Sequence, residues 1–309
     1  MGELSLIEKF KAGAPGHPWI TVGPGSDCAV LNWPGGVDQL FKIDQVVEGT
    51  HFVLSGPEAA TPFQVGWKAM AKTCSDIAAA GGWPVAAMVA MNVRRGTPEA
   101  VTLGVYHGLV QCCKEFDFGL AGGDFSSSEN GLSVVVSLLG KCRYGGAWTR
   151  GGAQPGDALF VTGSLGGSRG GKHLRFGPRL KEARFIRDNC PRSVKAAIDI
   201  TDGLSRDLKH ICAESGCGAI IDEAAVPMSE SLAEFSRSVA LTHALNDGED
   251  FELLLAVDAA HADELAAKWD RKVALTRIGE IVEKELGVSI RCADGQLRPM
   301  QDGGYEHVV

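Results

Sequence analysis

Positive charge is scarce in this sequence: 30 Lys and Arg stand against 38 Asp and Glu, a formal net charge of −8. Binding a nucleic-acid backbone draws on an excess of Lys and Arg on one face, so a nucleic-acid partner is excluded. A nucleotide is not, because carboxylates hold phosphates through a shared divalent cation. Aromatic residues are also few, with three Tyr and six Trp, which leaves little material for a platform on which bases could stack. No stretch reaches the ~18 uncharged apolar residues a membrane span needs, so no membrane association is expected. The opening MGELSLIEKFKAG reads as an amphipathic helix and not a signal peptide, since no long apolar run follows its charges. Nine cysteines, an odd number, are scattered from Cys28 to Cys292 without metal-ligand spacing. A zinc site or an oxidised framework would be more regular, so buried free thiols in the cytoplasm are expected. Two familiar phosphate loops are missing as well. Gly171-Lys172 is followed by His173 where a Walker-type loop has Ser or Thr, and LFVTGSLGGSRGG lacks the G-x-G-x-x-G spacing.

What is present is a chain of 309 residues, 45% apolar and 22% charged, long enough for two domains. Glycine, at 40 residues, is in excess and signals tight turns and close backbone approaches. Residues 39–47, 85–93 and 132–140 read as strands, the last two as buried ones. Residues 59–81 and 97–115 read as helices, and GLAGGDF as a strand running into a glycine turn. The polar, Gly-rich stretch 143–157 marks the boundary between domains 1–145 and 146–309. ALFVTG then opens a second unit, with a helix at 204–215 and strands near 218–222, 251–256 and 275–281. Strands and helices follow no strict alternation, so the fold class is α+β.

A lone Asp beside small residues, at the end of an apolar run, recurs through the chain. Asp27 lies in GPGSDCAVL, Asp44 in LFKIDQVVEGTHF, Asp76 in KTCSDIAAAGG and Asp124 in GLAGGDFSSS. Asp199 and Asp202 follow in AIDITDGLSRDL, then Asp247, Glu249 and Asp250 in LNDGEDFELLL. Any one of these is more often a cap or turn former than a ligand, and for Asp202 the two readings weigh equally. Gathered together, such groups would repel one another unless cations neutralised them, and an oxygen-only set suits Mg²⁺.

DITDGL is close to the Asp-x-Ser-Asp-Gly-Leu element of thiamine-monophosphate kinases, and SDIAAAGGWP, VEGTHF, LAGGD, TRGGAQPGD, VTGSLG and GEDFELL resemble that family's segments in the same order. Some are shared with a wider superfamily that includes aminoimidazole ribonucleotide synthetase and selenophosphate synthetase; VEGTHF and TRGGAQPGD favour the thiamine branch. The resemblance implies ATP-dependent phosphorylation of thiamine monophosphate to thiamine diphosphate by in-line transfer. It implies two α+β domains, the N-terminal one mixed α/β and forming a barrel in a homodimer, with ATP held at the domain junction through several Mg²⁺ ions. Carried over by position, Asp27, Asp44, Asp76, Asp124, Asp199 and Asp202 would hold metals, with Asp44, Asp76 and Asp202 catalytic. Gly123, Asp124, Arg150 and Thr201 would bind ATP, and His51, Glu249 and Asp302 would face the acceptor.

Four departures from the family pattern are visible. Ser26 replaces the first Asp of a pair, Lys42-Ile43 replaces a Ser-Thr before Asp44, Asp302 replaces a Trp at the acceptor, and 166–178 is short. They leave open a diverged phosphotransferase or ligase acting on another small phosphorylated acceptor. Period-2 alternation predicts that Lys42 shares the cavity of Asp44, with Phe41 and Ile43 turned into packing. An edge-strand lysine reaching solvent is the other reading of Lys42.

Overall fold

Thr61 and Gln64 form a reciprocal capping box and Pro62 occupies the first turn, so the helix α1 starts at Pro62 and runs to Ala79. The computed structural model describes residues 20–22, 26–33, 36–143, 146–301 and 303–305; the expected N-terminal helix and Asp302 lie outside them. α1 packs on a six-stranded sheet made of β1 (Ile20–Val22), β2 (Ala29–Trp33), β3 (Val37–Val47), β4 (Trp83–Arg94), β5 (Gly119–Ser128) and β6 (Ser133–Arg143). Their spatial order is β1-β2-β3-β6-β4-β5. Only β4 and β5 pair in parallel, and the helix α2 (Glu99–Glu115) supplies the crossover that such a pair requires. The expected glycine turn in GLAGGDF does not occur. The strand continues through Gly122 and Gly123 with a one-residue register shift, and a Cβ at Gly123 would lie 1.9 Å from Val89 O.

The expectation that 85–93 and 132–140 are buried on both faces is corrected too. One face of this sheet carries α1 and α2, while Phe41, Ile43 and Met88 stand exposed on the other. Phe41 and Ile43 are therefore not turned into packing; the strand alternation holds, but the packed face is the one that Leu40 and Val46 share with Lys42 and Asp44.

A second sheet contains β7 (Ala158–Thr162), β8 (Val194–Asp199), β9 (Gly218–Asp222), β10 (Leu253–Val257), β11 (Leu275–Val282), β12 (Val288–Arg291) and β13 (Leu297–Pro299). Its order is β13-β12-β9-β11-β7-β10-β8, antiparallel except for β9 with β12. β7 and β10 are buried at every position and apolar except for Thr162, because both faces are covered there. Ala158 and Phe160 of β7 join the core shared with α1, α3 (Leu180–Asn189) and α6 (Ala259–Lys268). Leu159 and Val161 join a second core beneath α4 (Leu204–Ser215) and α5 (Arg237–Asn246). Thus α1 is packed between the two sheets, and both halves of the chain reach its C-terminal end. No helix among the described residues is long and apolar enough to cross a membrane. All nine cysteines are free, with Cys142 and Cys292 half-buried and the others buried.

Candidate active site

A cavity of about 410 Å³ opens where the two sheets meet, lined from both halves by acidic and basic side chains. Each wall follows from local structure. Asp27 precedes β2, and Asp44 lies in the middle of β3, not at a strand end. Asp76 sits in the last turn of α1, and Asp199 ends β8. One oxygen or more from each of Asp27, Asp76 and Asp199 lies within 4.8 Å of the others.

Basic groups interleave with them. Lys42 Nζ lies 2.6 Å from Asp76 Oδ1 and 3.4 Å from Asp44 Oδ2, and Lys72 Nζ is 3.3 Å from Asp44 Oδ1. Arg150 donates to Asp27 Oδ1 from Nη2 at 2.6 Å and from Nε at 3.2 Å. The compensation is incomplete. Burial, together with Asp199, Asp44 and Asp27, pushes the Asp76 carboxyl well above its usual range against the pull of Lys42. Burial, then Asp27, raises Asp199 to about 7. Asp44 Oδ2 and Asp199 Oδ2 are buried without a hydrogen-bond partner. Carboxylates that hold protons on one another, with orphaned oxygens and oxygen-only donors, are a set that a hard divalent cation would ionise and satisfy. Mg²⁺ fits these residues.

Asp202 is not the helix cap that the sequence left open. Gly203 holds the cap position of α4 and no side chain caps it. The buried Asp207 instead accepts from Thr201 N at 2.9 Å and Asp202 N at 3.1 Å, fixing the turn that carries both residues to the cavity wall. Across the cavity, Gly248, Glu249 and Phe251 all have φ between 52° and 71°, a region that costs a non-glycine residue energy. This backbone turns Glu249 toward α1, where its Oε1 meets Lys68 Nζ at 2.6 Å and its Oε2 meets His173 Nδ1 at 3.1 Å. Burial works to raise the Glu249 carboxyl, but the His173 hydrogen bond and Lys68 outweigh it and hold it at about 2. Lys68 Nζ also donates to His51 O at 2.7 Å, and the His51 ring accepts from Val47 N.

Of the expected residues, Asp27, Asp44, His51, Asp76, Arg150, Asp199, Thr201, Asp202 and Glu249 line this one cavity. Gly123 and Asp124 do not. Asp124 pairs with Ala90, Ala90 with Val135, and Val135 with Gln45. It thus stands three strands away, ~14 Å at the usual strand spacing, on the face opposite Asp44. Lys68, Lys72, Arg169, His173 and Asp207 were not anticipated. A signal for two of them exists: 68, 72 and 76 are four residues apart and share one face of α1.

Comparison with known proteins agrees with this architecture. A family model described as AIR synthase related protein, N-terminal domain, matches residues 25–142, and its C-terminal domain counterpart matches 154–291. Thiamine-monophosphate kinase of Rhodopirellula baltica is 36% identical, over 99% of this chain and 97% of its own. That of Escherichia coli K12 is 33% identical, over 99% and 98%. Among solved structures, AaThiL complexed with AMPPCP and TMP superposes with a TM-score of 0.83 at 27% identity, covering 99% of this chain and 97% of that one.

Proposed function

Because this chain belongs to the AIR synthase related family and, within it, to the thiamine-monophosphate kinases, we propose that it transfers the γ-phosphoryl group of ATP to thiamine monophosphate. The carrying observation is the convergence of Asp27, Asp44 and Asp76 from one half with Asp199, Thr201 and Asp202 from the other in a single cavity. Asp27, Asp44, Asp76 and Asp199, with Asp202 at a further position, would hold Mg²⁺, which neutralises phosphate charge when bound.

The chain's own groups supply the rest. A phosphate oxygen of the acceptor forms the new bond to the γ-phosphorus. The bond from that phosphorus to the β–γ bridging oxygen breaks, and ADP leaves with the electron pair. The attacking phosphate is already an anion at neutral pH, so no side chain need remove a proton, and catalysis rests on positioning and charge. Lys72, Arg150 and Arg169 line the cavity where the phosphates would lie. The Asp207-braced turn sets Thr201 and Asp202 against the nucleotide. His51 and Glu249, tied together through Lys68, form the acceptor wall, and the family resemblance assigns Asp302 to the acceptor as well.

We divide the chain at 145/146 and take it to be a homodimer through the open face of the first sheet, the face that carries Asp124. Free thiols and the use of ATP suit the cytoplasm. The test is ADP release coupled to a spectroscopic readout. ADP should form only with both a divalent cation and thiamine monophosphate; ADP formation with another phosphorylated acceptor and none with this one overturns the substrate.

A further inference from the structure

β3 is an internal strand, paired with β2 on one side and β6 on the other. Lys42 is therefore no edge lysine reaching solvent. Its side chain is 21% exposed and its ammonium lies between carboxylates of two different elements, Asp44 of β3 and Asp76 of α1. Among the described residues, the other cations at the cluster each reach one carboxylate: Lys72 reaches Asp44 and Arg150 reaches Asp27.

We infer that the Lys42 ammonium is a built-in cation of the carboxylate cluster, standing in for one divalent ion, so that this chain takes up one ion fewer with its nucleotide than it would with a neutral residue at 42. The inference rests on reading the cluster as the divalent-cation site of an ATP enzyme. Space and charge support it. A Mg²⁺ ion sits about 2.0–2.1 Å from each carboxylate oxygen that it shares. An ammonium 2.6 Å from Asp76 Oδ1 and 3.4 Å from Asp44 Oδ2 takes up space beside both carboxylates that a divalent ion held by them would need. Four carboxylates (Asp27, Asp44, Asp76, Asp199) face three fixed cations (Lys42, Lys72, Arg150). The uncompensated charge falls on the side of Asp199, whose Oδ2 is buried and unpartnered. That side remains open to a divalent ion, while the Asp44–Asp76 side already carries the ammonium groups of Lys42 and Lys72. Unlike an ion, the lysine cannot dissociate, so this part of the site is assembled before nucleotide arrives.

Counting ions tests this without any turnover. Mn²⁺ bound per chain is measured by the loss of the free-ion EPR signal, in the presence of the non-hydrolysable nucleotide AMPPCP, for wild type, Lys42→Ser, Lys42→Met and Lys72→Ser. Lys42→Met keeps the packed stem in case the serine variant fails to fold. The expected result is one additional Mn²⁺ in the Lys42 variants and no change in Lys72→Ser. The same count in wild type and both Lys42 variants overturns the inference, as does an equal gain in Lys72→Ser, which would mark a general charge effect. No Mn²⁺ on wild type overturns the reading of the cluster itself, a different result from an unchanged non-zero count.

Discussion

Lys68 has no exposed surface, yet its ammonium pairs with Glu249 and donates to His51 O, with the His173 ring beside it. A buried charge so placed is tolerable because it is paired and hydrogen-bonded, and the residues around it come from three separate segments. Such a residue is invisible in a linear reading, where Lys68 is one more polar position in a helix. The aspartates were legible because each interrupts an apolar run, which sequence shows directly. At this scale Asp76→Asn should keep the fold and lower turnover by at least ~10²-fold, since it removes a buried charge from the cluster; steady-state rates alongside circular dichroism check this. Asp250 carries a pH prediction. Burial raises its carboxyl to about 7 from the ordinary 3.8, against Lys172 and the Gly166 amide. The unfolded chain therefore ionises first. Stability from this group is full below pH 3.8 and is lost as pH rises toward 7. Asp250→Asn should gain on wild type between pH 4 and pH 8 by about 1–3 kcal/mol, since each tenfold change in an ionisation equilibrium corresponds to ~1.4 kcal/mol and relaxation of the site absorbs some of it. Urea unfolding at both pH values measures it, and a pH-independent difference would refute the assignment.

The helix α1 is the element on which the site depends. One face offers Lys72 and Asp76 to the cavity and holds Lys68 buried beneath its wall, while Gly66 presses on α2 from another. A Cβ at Gly66 would lie 1.9 Å from Val105 O, and one at Gly108 of α2 would lie 2.0 Å from Phe63 O. Two backbones this close leave no room for a methyl group, so Gly66→Ala should destabilise by about 3 kcal/mol, at the upper end for overpacking. Denaturant unfolding tests it, and Gly170→Ala, where nothing lies within 4 Å, is the control. Long elements with clear punctuation were legible: α1 by its periodicity and the Gly81-Gly82 stop, and α4 between Gly203 and Gly216. The ten-residue helices α3, α5 and α6 were not, because a short helix owes its existence to packing and not to its own propensity. Nor were the two turns of 3₁₀ helix over Ser168–Gly170 and Lys172–Leu174. They are held by partners remote in sequence: Lys172 by Glu252, Gly167 by Asp247, and Ser168 by Gly248 O.

For the molecule as a whole, the open face of the first sheet is the feature that a single chain leaves unresolved. Ile43 is 65% exposed and Met88 58%, and they share this face with Phe41 and Asp124. A sheet with α1 and α2 on one side and large apolar groups bare on the other has the pattern of a surface that a second copy covers. Sequence reading missed that bareness because alternation tells which residues share a face, not which face is packed. Met88→Asp places a charge on the open face and should convert a dimer of about twice 32.6 kDa to the monomer in light scattering. A wild-type protein that is monomeric at micromolar concentration would remove the dimer. Its consequence for the site can be tested separately. If Asp124 serves the cavity of the partner, Asp124→Asn and Asp76→Asn are each inactive alone but complement each other. In a mixed dimer one cavity carries both defects, while the other pairs an intact cluster with an intact Asp124. Random re-association of equal amounts gives half mixed dimers with one working cavity of two, so activity should recover to about a quarter of wild type. If Asp124 acted within its own chain, each cavity of the mixed dimer would keep one defect, and the mixture would stay at the level of its parents.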